Sequence, residues 1–135
     1  MENLELGFAK TKLHSSEGMI LLGQAVSHMQ KLQKLSVVIY RTNLEDEGLI
    51  ALGRALKGKI KLAELFLSFG KTKLLSDDVL ITLGESLKTL TALKHFELYV
   101  QKTKITDLGF KKLAISLQEH WKLEKLTLNF GDTDI

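Results

Sequence analysis

The chain of 135 residues repeats itself every 30 or 31 positions, and this period limits the fold more than any other feature. Four columns of residues keep the period in register, and chance similarity does not produce such agreement. One is apolar and consists of Leu4, Leu35, Leu65, Phe96 and Leu126. A second consists of Thr11, Thr42, Thr72, Thr103 and Thr133. Two more apolar columns begin at Leu13 and Leu22. An internal period of this size indicates a repeat architecture in which each unit packs on its neighbours.

Each unit changes its hydrophobic period from two residues to about 3.6. The period of two predicts short strands with one buried face. These strands are expected near residues 4–8, 35–39, 65–69, 96–100 and 126–130. The longer period predicts helices near 16–29, 46–57, 77–89 and 107–120, with Asp46 or Glu45 as the cap of the second. Strand, helix and strand at this spacing predict parallel strands joined by right-handed crossovers.

Small residues recur at one site of the helical segments, namely Gly23, Gly53, Gly84 and Ala114. Glycine inside a helix costs about 0.5–1 kcal/mol relative to alanine. Its repeated use at one site predicts that each helix backbone closely approaches either its neighbour or the sheet.

The unit begins with L-x-x-L-x-[LV]-x-[IFV]-x-x-T-x-[LI]. An acidic residue comes next, then in most units a glycine, and then L-[GA]-x-[AS]-[LV]. This pattern resembles a leucine-rich repeat of the ribonuclease-inhibitor-like type. The resemblance implies a curved α/β solenoid with strands on the concave side, helices on the convex side and a protein-binding role. It covers residues 1–135 as a single domain of about 4.5 repeats, with units near 1–31, 32–61, 62–92 and 93–122 and a partial unit at 123–135.

Two departures from the family pattern concern the turn and the strand. Threonine occupies the usual asparagine position in all five units, and the strand carries one extra alternating apolar residue. This long L-x-L-x-L form is similar to arrays abundant in ciliated protists, where such repeats often belong to larger proteins. We therefore expect the domain to be part of a longer array or assembly.

Several functional classes are excluded by the residues that the chain lacks. It contains no cysteine, which rules out disulfides and thiolate metal sites and fits an intracellular, cytoplasmic location. The acidic start does not fit a signal peptide, and no apolar run is long enough to span a membrane, so no membrane contact is expected. The sequence Gly70-Lys71-Thr72 imitates a phosphate-binding loop, but Leu65 stands where that loop needs glycine. We expect no catalytic residue, no metal and no cofactor, and an enzyme remains only a formal alternative.

The residues between the apolar strand positions are expected to face the concave surface. Four of them, on units two to four, form a predicted apolar and aromatic island: Val38, Tyr40, Phe66 and Tyr99. Aromatic anchors inside a polar rim are typical of interface hot spots. The alternative is cross-strand packing that only stiffens the sheet.

Basic residues follow the first four predicted strands and should stack in two columns. They are Lys10, Lys12, Arg41, Lys71, Lys73, Lys102 and Lys104. Stacked like charges repel each other, which favours an anionic partner at this rim. In the alternative, seven acidic residues farther along the units neutralise the rim: Glu17, Glu45, Asp46, Glu47, Asp77, Asp78 and Asp107.

We therefore interpret the sequence as a non-catalytic module that binds a protein partner with an acidic surface through its concave strand face. The small net charge of +3 and the lack of stacked aromatics beside the lysines argue against nucleic acid. The alternative is a structural subunit of a large assembly, held through its uncapped ends by further repeats or by self-association.

Overall fold

Five strands alternate with four helices along the chain. The computed structural model describes residues 1–8, 15–72 and 75–135. The strands are β1 (Asn3–Gly7), β2 (Lys34–Val38), β3 (Glu64–Ser68), β4 (His95–Tyr99) and β5 (Lys125–Asn129). The helices are α1 (Ser16–Ser27), α2 (Asp46–Ala55), α3 (Asp77–Leu87) and α4 (Asp107–Leu117). None of these helices is long and apolar enough to cross a bilayer.

All five strands lie in one sheet in chain order, and every neighbouring pair is parallel. The register follows the sequence columns, since Leu4 pairs with Leu35, Leu35 with Leu65, and so on to Leu126. The prediction of parallel strands is confirmed. Each strand begins one residue earlier than predicted. The first residue of each strand is polar, so the apolar pattern does not mark it.

The core lies between one face of the sheet and the helices. In the three central strands the apolar columns are fully buried, and they join the helix leucines in one cluster. The two outer strands are covered less well. Leu126 of β5 is 47 % exposed, whereas its counterparts Leu35 and Phe96 are fully buried. Each strand is therefore fully covered only where units flank it on both sides.

The glycine column brings neighbouring helices close together, as predicted. A methyl group at Gly23 would lie 3.0 Å from the backbone oxygen of Ala51 in α2. At Gly53 the nearest atom would be the methyl of Thr82 at 3.4 Å, which is ordinary contact. The approach is therefore tighter between α1 and α2 than between α2 and α3.

Alanine at these two glycines should have opposite effects. Gly23→Ala forces the methyl against backbone that cannot move aside, so a net loss of about 1 kcal/mol in unfolding free energy is expected. Gly53→Ala keeps ordinary contacts and removes the helix penalty of glycine, so a gain of about 0.5–1 kcal/mol is expected. Urea unfolding followed by circular dichroism measures both. Equal effects would contradict the difference in spacing.

Aspartates at the first position of α2 and of α3 tie their units to the next one. Asp46 accepts hydrogen bonds from the backbone N–H and the hydroxyl of Ser76, the residue that precedes α3. Asp77 accepts the same pair from Thr106, which precedes α4, at 2.8 Å and 2.5 Å. Of the two predicted caps of α2, Glu45 occupies the N-cap position without a side-chain hydrogen bond to the helix, and Asp46 is the first helical residue. Its carboxylate instead satisfies the next unit's helix start.

The threonine column is mostly satisfied by backbone carbonyls. The Thr103 and Thr133 hydroxyls donate to the carbonyl three residues earlier in their own units, whereas Thr72 reaches Ile39 of the preceding unit at 3.4 Å. The Thr42 hydroxyl is buried and has no hydrogen-bond partner. Within the described residues, a threonine hydroxyl of this column therefore bonds to another unit at Thr72.

Lys59, in the turn after α2, is only 2 % exposed. Its Nζ donates to the carbonyl of Ser27, the last residue of α1, at 3.3 Å. The repeat places Met29, Leu90 and His120 at the corresponding position. His120 Nε2 donates in the same way to the last carbonyl of α3, at 2.7 Å. Burial lowers the pKa of Lys59, because the charged ammonium has lost water.

Candidate functional site

One face of the sheet packs on the helices, and the other, here called the open face, carries the alternating side chains. The strand register arranges these side chains in rows, and one row contains Glu5, Ser36, Phe66, Glu97 and Thr127. The next row contains Gly7, Val38, Ser68, Tyr99 and Asn129. In β2, β3 and β4 these positions are half-buried while their neighbours are buried. Val38, Phe66 and Tyr99 therefore lie on the open face, as predicted.

An aromatic pair occupies the centre of the open face. The rings of Phe66 and Tyr99 lie 5.5 Å apart between centroids, tilted by 40°. The Tyr99 hydroxyl donates to Glu97 Oε2 at 3.0 Å, and Glu97 Oε1 accepts from Lys125 Nζ at 2.5 Å. The Lys125 bond lowers the pKa of Glu97, and the carboxylate raises the pKa of Tyr99. A charged, hydrogen-bonded chain thus orients the Tyr99 ring toward its neighbour.

Tyr40 is the second residue after β2, and its ring lies against cations. Its ring centroid lies 5.3 Å from Lys71 Nζ and 5.9 Å from the Arg41 guanidinium carbon. Interaction with the Lys71 ammonium lowers the pKa of the Tyr40 hydroxyl. Ser68 pairs with both Val38 and Tyr99 across the sheet, so a small side chain lies between Val38 and Tyr99 in their row. Within the described residues, ring contacts join Phe66 to Tyr99 and Tyr40 to the two cations.

The basic column after the strands occupies a left-handed turn. Arg41, Lys71, Lys102 and Asp132 have φ between 56° and 57°, a region that favours glycine. The same turn conformation in four units holds their side chains at equivalent places along the rim. Lys104 is exposed on the same rim. Three other predicted rim residues, Lys10, Lys12 and Lys73, lie outside the described residues.

In the alternative given above, acidic side chains of the chain neutralise the basic rim. The ion pairs among the described residues do not follow that pattern. Four ion pairs are found within the described ranges, and of the rim cations only Lys102 takes part, with Asp132 at 3.9 Å. Asp46 and Asp77 hold the next helix start instead. Within the described residues, Arg41 and Lys71 thus contact an aromatic ring and no carboxylate.

An open cavity of about 400 Å³ lies beside these two cations and is lined by Arg41, Thr42, Asn43 and Lys71. Thr42, whose hydroxyl has no partner, forms part of its wall. Two cations and an amide around one depression are groups that suit a carboxylate or another anion.

A row of charges at the start of the strands escaped the sequence analysis because the strands begin earlier than predicted. It contains Lys34, Glu64, His95 and Lys125, on the same face as Phe66 and Tyr99. Lys34 pairs with Glu64 at 3.1 Å, and His95 lies 3.6 Å from Glu124. The open face therefore has a charged border on the side opposite the basic rim.

No protein-family model matches the chain, and none of the curated proteins matches it significantly. Within the described ranges, no cluster of three or more potential metal ligands is found.

Proposed function

We propose that the chain is a non-catalytic leucine-rich repeat module of the ribonuclease-inhibitor-like type that binds an acidic protein segment on its open face. Phe66 and Tyr99, with Val38 beside them, supply the apolar contact. Tyr40, Arg41 and Lys71 receive the partner's carboxylates. The observation that carries the proposal is the position of Arg41 and Lys71, which flank an aromatic ring and a cavity and contact no carboxylate among the described residues.

The two halves of this surface contribute differently to binding. Aromatic residues in the centre of an interface supply most of the affinity once water is excluded. Cations at the rim increase the association rate and fix the orientation of an acidic partner. A segment that places one apolar side chain near Phe66 and its acidic residues near Arg41 satisfies both parts.

The proposal is tested by selecting ligands for the immobilised chain from a randomised peptide display library. Selected peptides should combine acidic residues with an apolar anchor. Tyr99→Lys should weaken their binding about thirtyfold or more, because a hot spot is worth about 2 kcal/mol or more. Arg41→Glu with Lys71→Glu should weaken it to a similar degree, and added salt should reduce it further.

Two controls separate contact from general damage. Tyr99→Phe keeps the ring and should retain most of the affinity. Lys111→Glu with Lys112→Glu makes the same charge change on exposed residues of α4 and should have little effect. Selected peptides without acidic residues, or peptides indifferent to Tyr99→Lys, would contradict the proposal.

A structural subunit of a larger assembly is the second candidate, and the exposed apolar surface of the last unit supports it. Leu126 is half exposed on an edge strand, and edge strands can pair with further strands. If this candidate is right, Leu126→Lys should abolish concentration-dependent association in sedimentation while Tyr99→Lys leaves it unchanged. If the chain is a binding module, Tyr99→Lys should abolish peptide capture and Leu126→Lys should leave it unchanged.

A further inference from the structure

The turns that lead from the helices into the strands form one continuous edge of the molecule, here called the turn edge. Backbone hydrogen bonds connect these turns in series, from Gln33 to Glu2, Ala63 to Gln33, Lys94 to Ala63, and Glu124 to Lys94. The Gly58 N–H also donates to the Thr89 hydroxyl of the next turn at 2.8 Å. Side chains at equivalent positions of the turns are therefore neighbours in space.

The turn edge carries an excess of positive charge. Nine lysines lie along it: Lys31, Lys34, Lys57, Lys59, Lys61, Lys88, Lys94, Lys122 and Lys125. Against them stand Glu2, Glu64, Glu119 and Glu124. The edge thus has a net charge of +5 in a chain whose total is +3, so the rest of the molecule is slightly acidic. All of these lysines except Lys59 are exposed.

Two large apolar side chains project from the same edge at one repeat position. Ile60 is 62 % exposed and Trp121 is 84 % exposed, and each occupies the tip of its turn. The intervening unit has Thr91 there, so the two tips are two strand spacings apart, about 10 Å. Lys122 Nζ lies 5.0 Å from the Trp121 ring centroid, and the two residues line a cavity of about 220 Å³ together with Lys88. Trp121 is thus exposed, although its large apolar ring favours packing against the chain.

We propose that the turn edge binds the surface of an anionic phospholipid membrane. The lysines would meet the lipid phosphates and carboxylates, and the two apolar tips would enter the boundary between headgroups and acyl chains. Tryptophan is favoured at that boundary because its ring is apolar while its N–H can donate. The expectation of no membrane contact rested on the absence of spans, which surface binding does not require.

The chemistry of the tips favours lipid over single-stranded nucleic acid. Nucleic-acid grooves stack successive bases on aromatic side chains. On the turn edge, the tip two units away from Trp121 is Ile60, which has no aromatic face, and the tip between them is Thr91. Apolar tips that project among lysines fit a fluid anionic layer, to which each lysine near the surface adds attraction.

The sole tryptophan of the chain provides a direct reporter. The intact chain is titrated with vesicles of phosphatidylcholine alone and with vesicles that also contain phosphatidylserine. We expect a blue shift of Trp121 fluorescence and co-sedimentation only with the mixed vesicles. Trp121→Ala and Ile60→Ser should each reduce the sedimented fraction, with a fall of about tenfold in partitioning for Trp121→Ala.

Matched variants separate this edge from the rest of the surface. Lys61→Glu with Lys122→Glu should reduce partitioning at least tenfold, whereas Lys111→Glu with Lys112→Glu makes the same charge change on α4 and should reduce it clearly less. Leu108→Ala removes an apolar side chain that is 52 % exposed at the start of α4, and it should leave binding unchanged. Tyr99→Lys should also leave it unchanged, so a failure here is distinct from a failure of the peptide-binding proposal.

Three outcomes would overturn the proposal. Equal binding to both kinds of vesicle would remove the role of charge. A blue shift with a single-stranded oligonucleotide at equal phosphate concentration, without one on the mixed vesicles, would assign the edge to nucleic acid. No response to either probe would show that the edge is a solvated surface.

Discussion

Asp77→Ala is expected to lower the free energy of unfolding by about 2–4 kcal/mol, more than any other substitution proposed for this chain. The carboxylate accepts two hydrogen bonds from Thr106, and a bond to a charged group is worth about 1.5–3 kcal/mol. Its loss leaves a backbone N–H at the start of α4 without its acceptor. The unfolding free energy in urea, measured by circular dichroism, tests this value.

The repeat supplies the control. Asp107 occupies the same position in α4, and within the described residues its carboxylate makes no hydrogen bond to another unit. Both aspartates lie in the first turn of a helix, where a negative charge is worth about 0.3–1 kcal/mol. Asp107→Ala should therefore cost only that smaller amount. If the two variants lose equal stability, the bond between units contributes nothing.

Lys59→Met should stabilise the protein by about 1–3 kcal/mol at neutral pH. The ammonium is buried with one hydrogen bond, at 3.3 Å, and an incompletely compensated buried charge costs free energy. Met29 at the equivalent position of the first unit shows that the repeat accommodates methionine there. Lys57→Met, at an exposed position of the same turn, should change stability by less than about 0.5 kcal/mol.

The pH dependence of stability gives a second readout for Lys59. The pKa of Lys59 in the folded state lies below the ordinary value of 10.5. At pH values between these two pKa values, the unfolded chain binds more protons than the folded one. Stability contributed by this position therefore rises with pH across that window, as the buried amine loses its charge. The difference between the parent protein and Lys59→Met should shrink from neutral pH toward about pH 10. A constant difference would show that the ammonium is well solvated in the folded state.

The sequence columns were sufficient to predict the strand order, the parallel pairing and the four helices, because apolar positions respond directly to burial. They did not locate the strand starts, since Lys34, Glu64, His95 and Lys125 are polar residues on the open face. The buried residue two positions before α3 is Leu75. The apolar column that begins at Leu13 instead passes through Leu74, which lies outside the described residues. A loop one residue longer shifts the register there without changing the apolar pattern.

Single side chains were harder to predict than elements. Polarity argues that Lys59 is exposed and apolarity argues that Trp121 is packed, and both inferences fail because the turn geometry decides which side chain points inward. The left-handed turn at Arg41, Lys71 and Lys102 carries no glycine signal in the sequence. Val38, Phe66 and Tyr99 were placed correctly on the open face because strand alternation alone determines the face.

The aspartate bonds between units have a direction. In each of them the acceptor belongs to the earlier unit, and the donor belongs to the residue that begins the next helix. Synthesis proceeds from the N-terminus, so each carboxylate is made before the serine or threonine that donates hydrogen bonds to it. Because repeats contact only their neighbours, every new helix can start on a surface that is already formed. Assembly of the stack should accordingly follow the order of translation, with the earliest units serving as the template for those that follow.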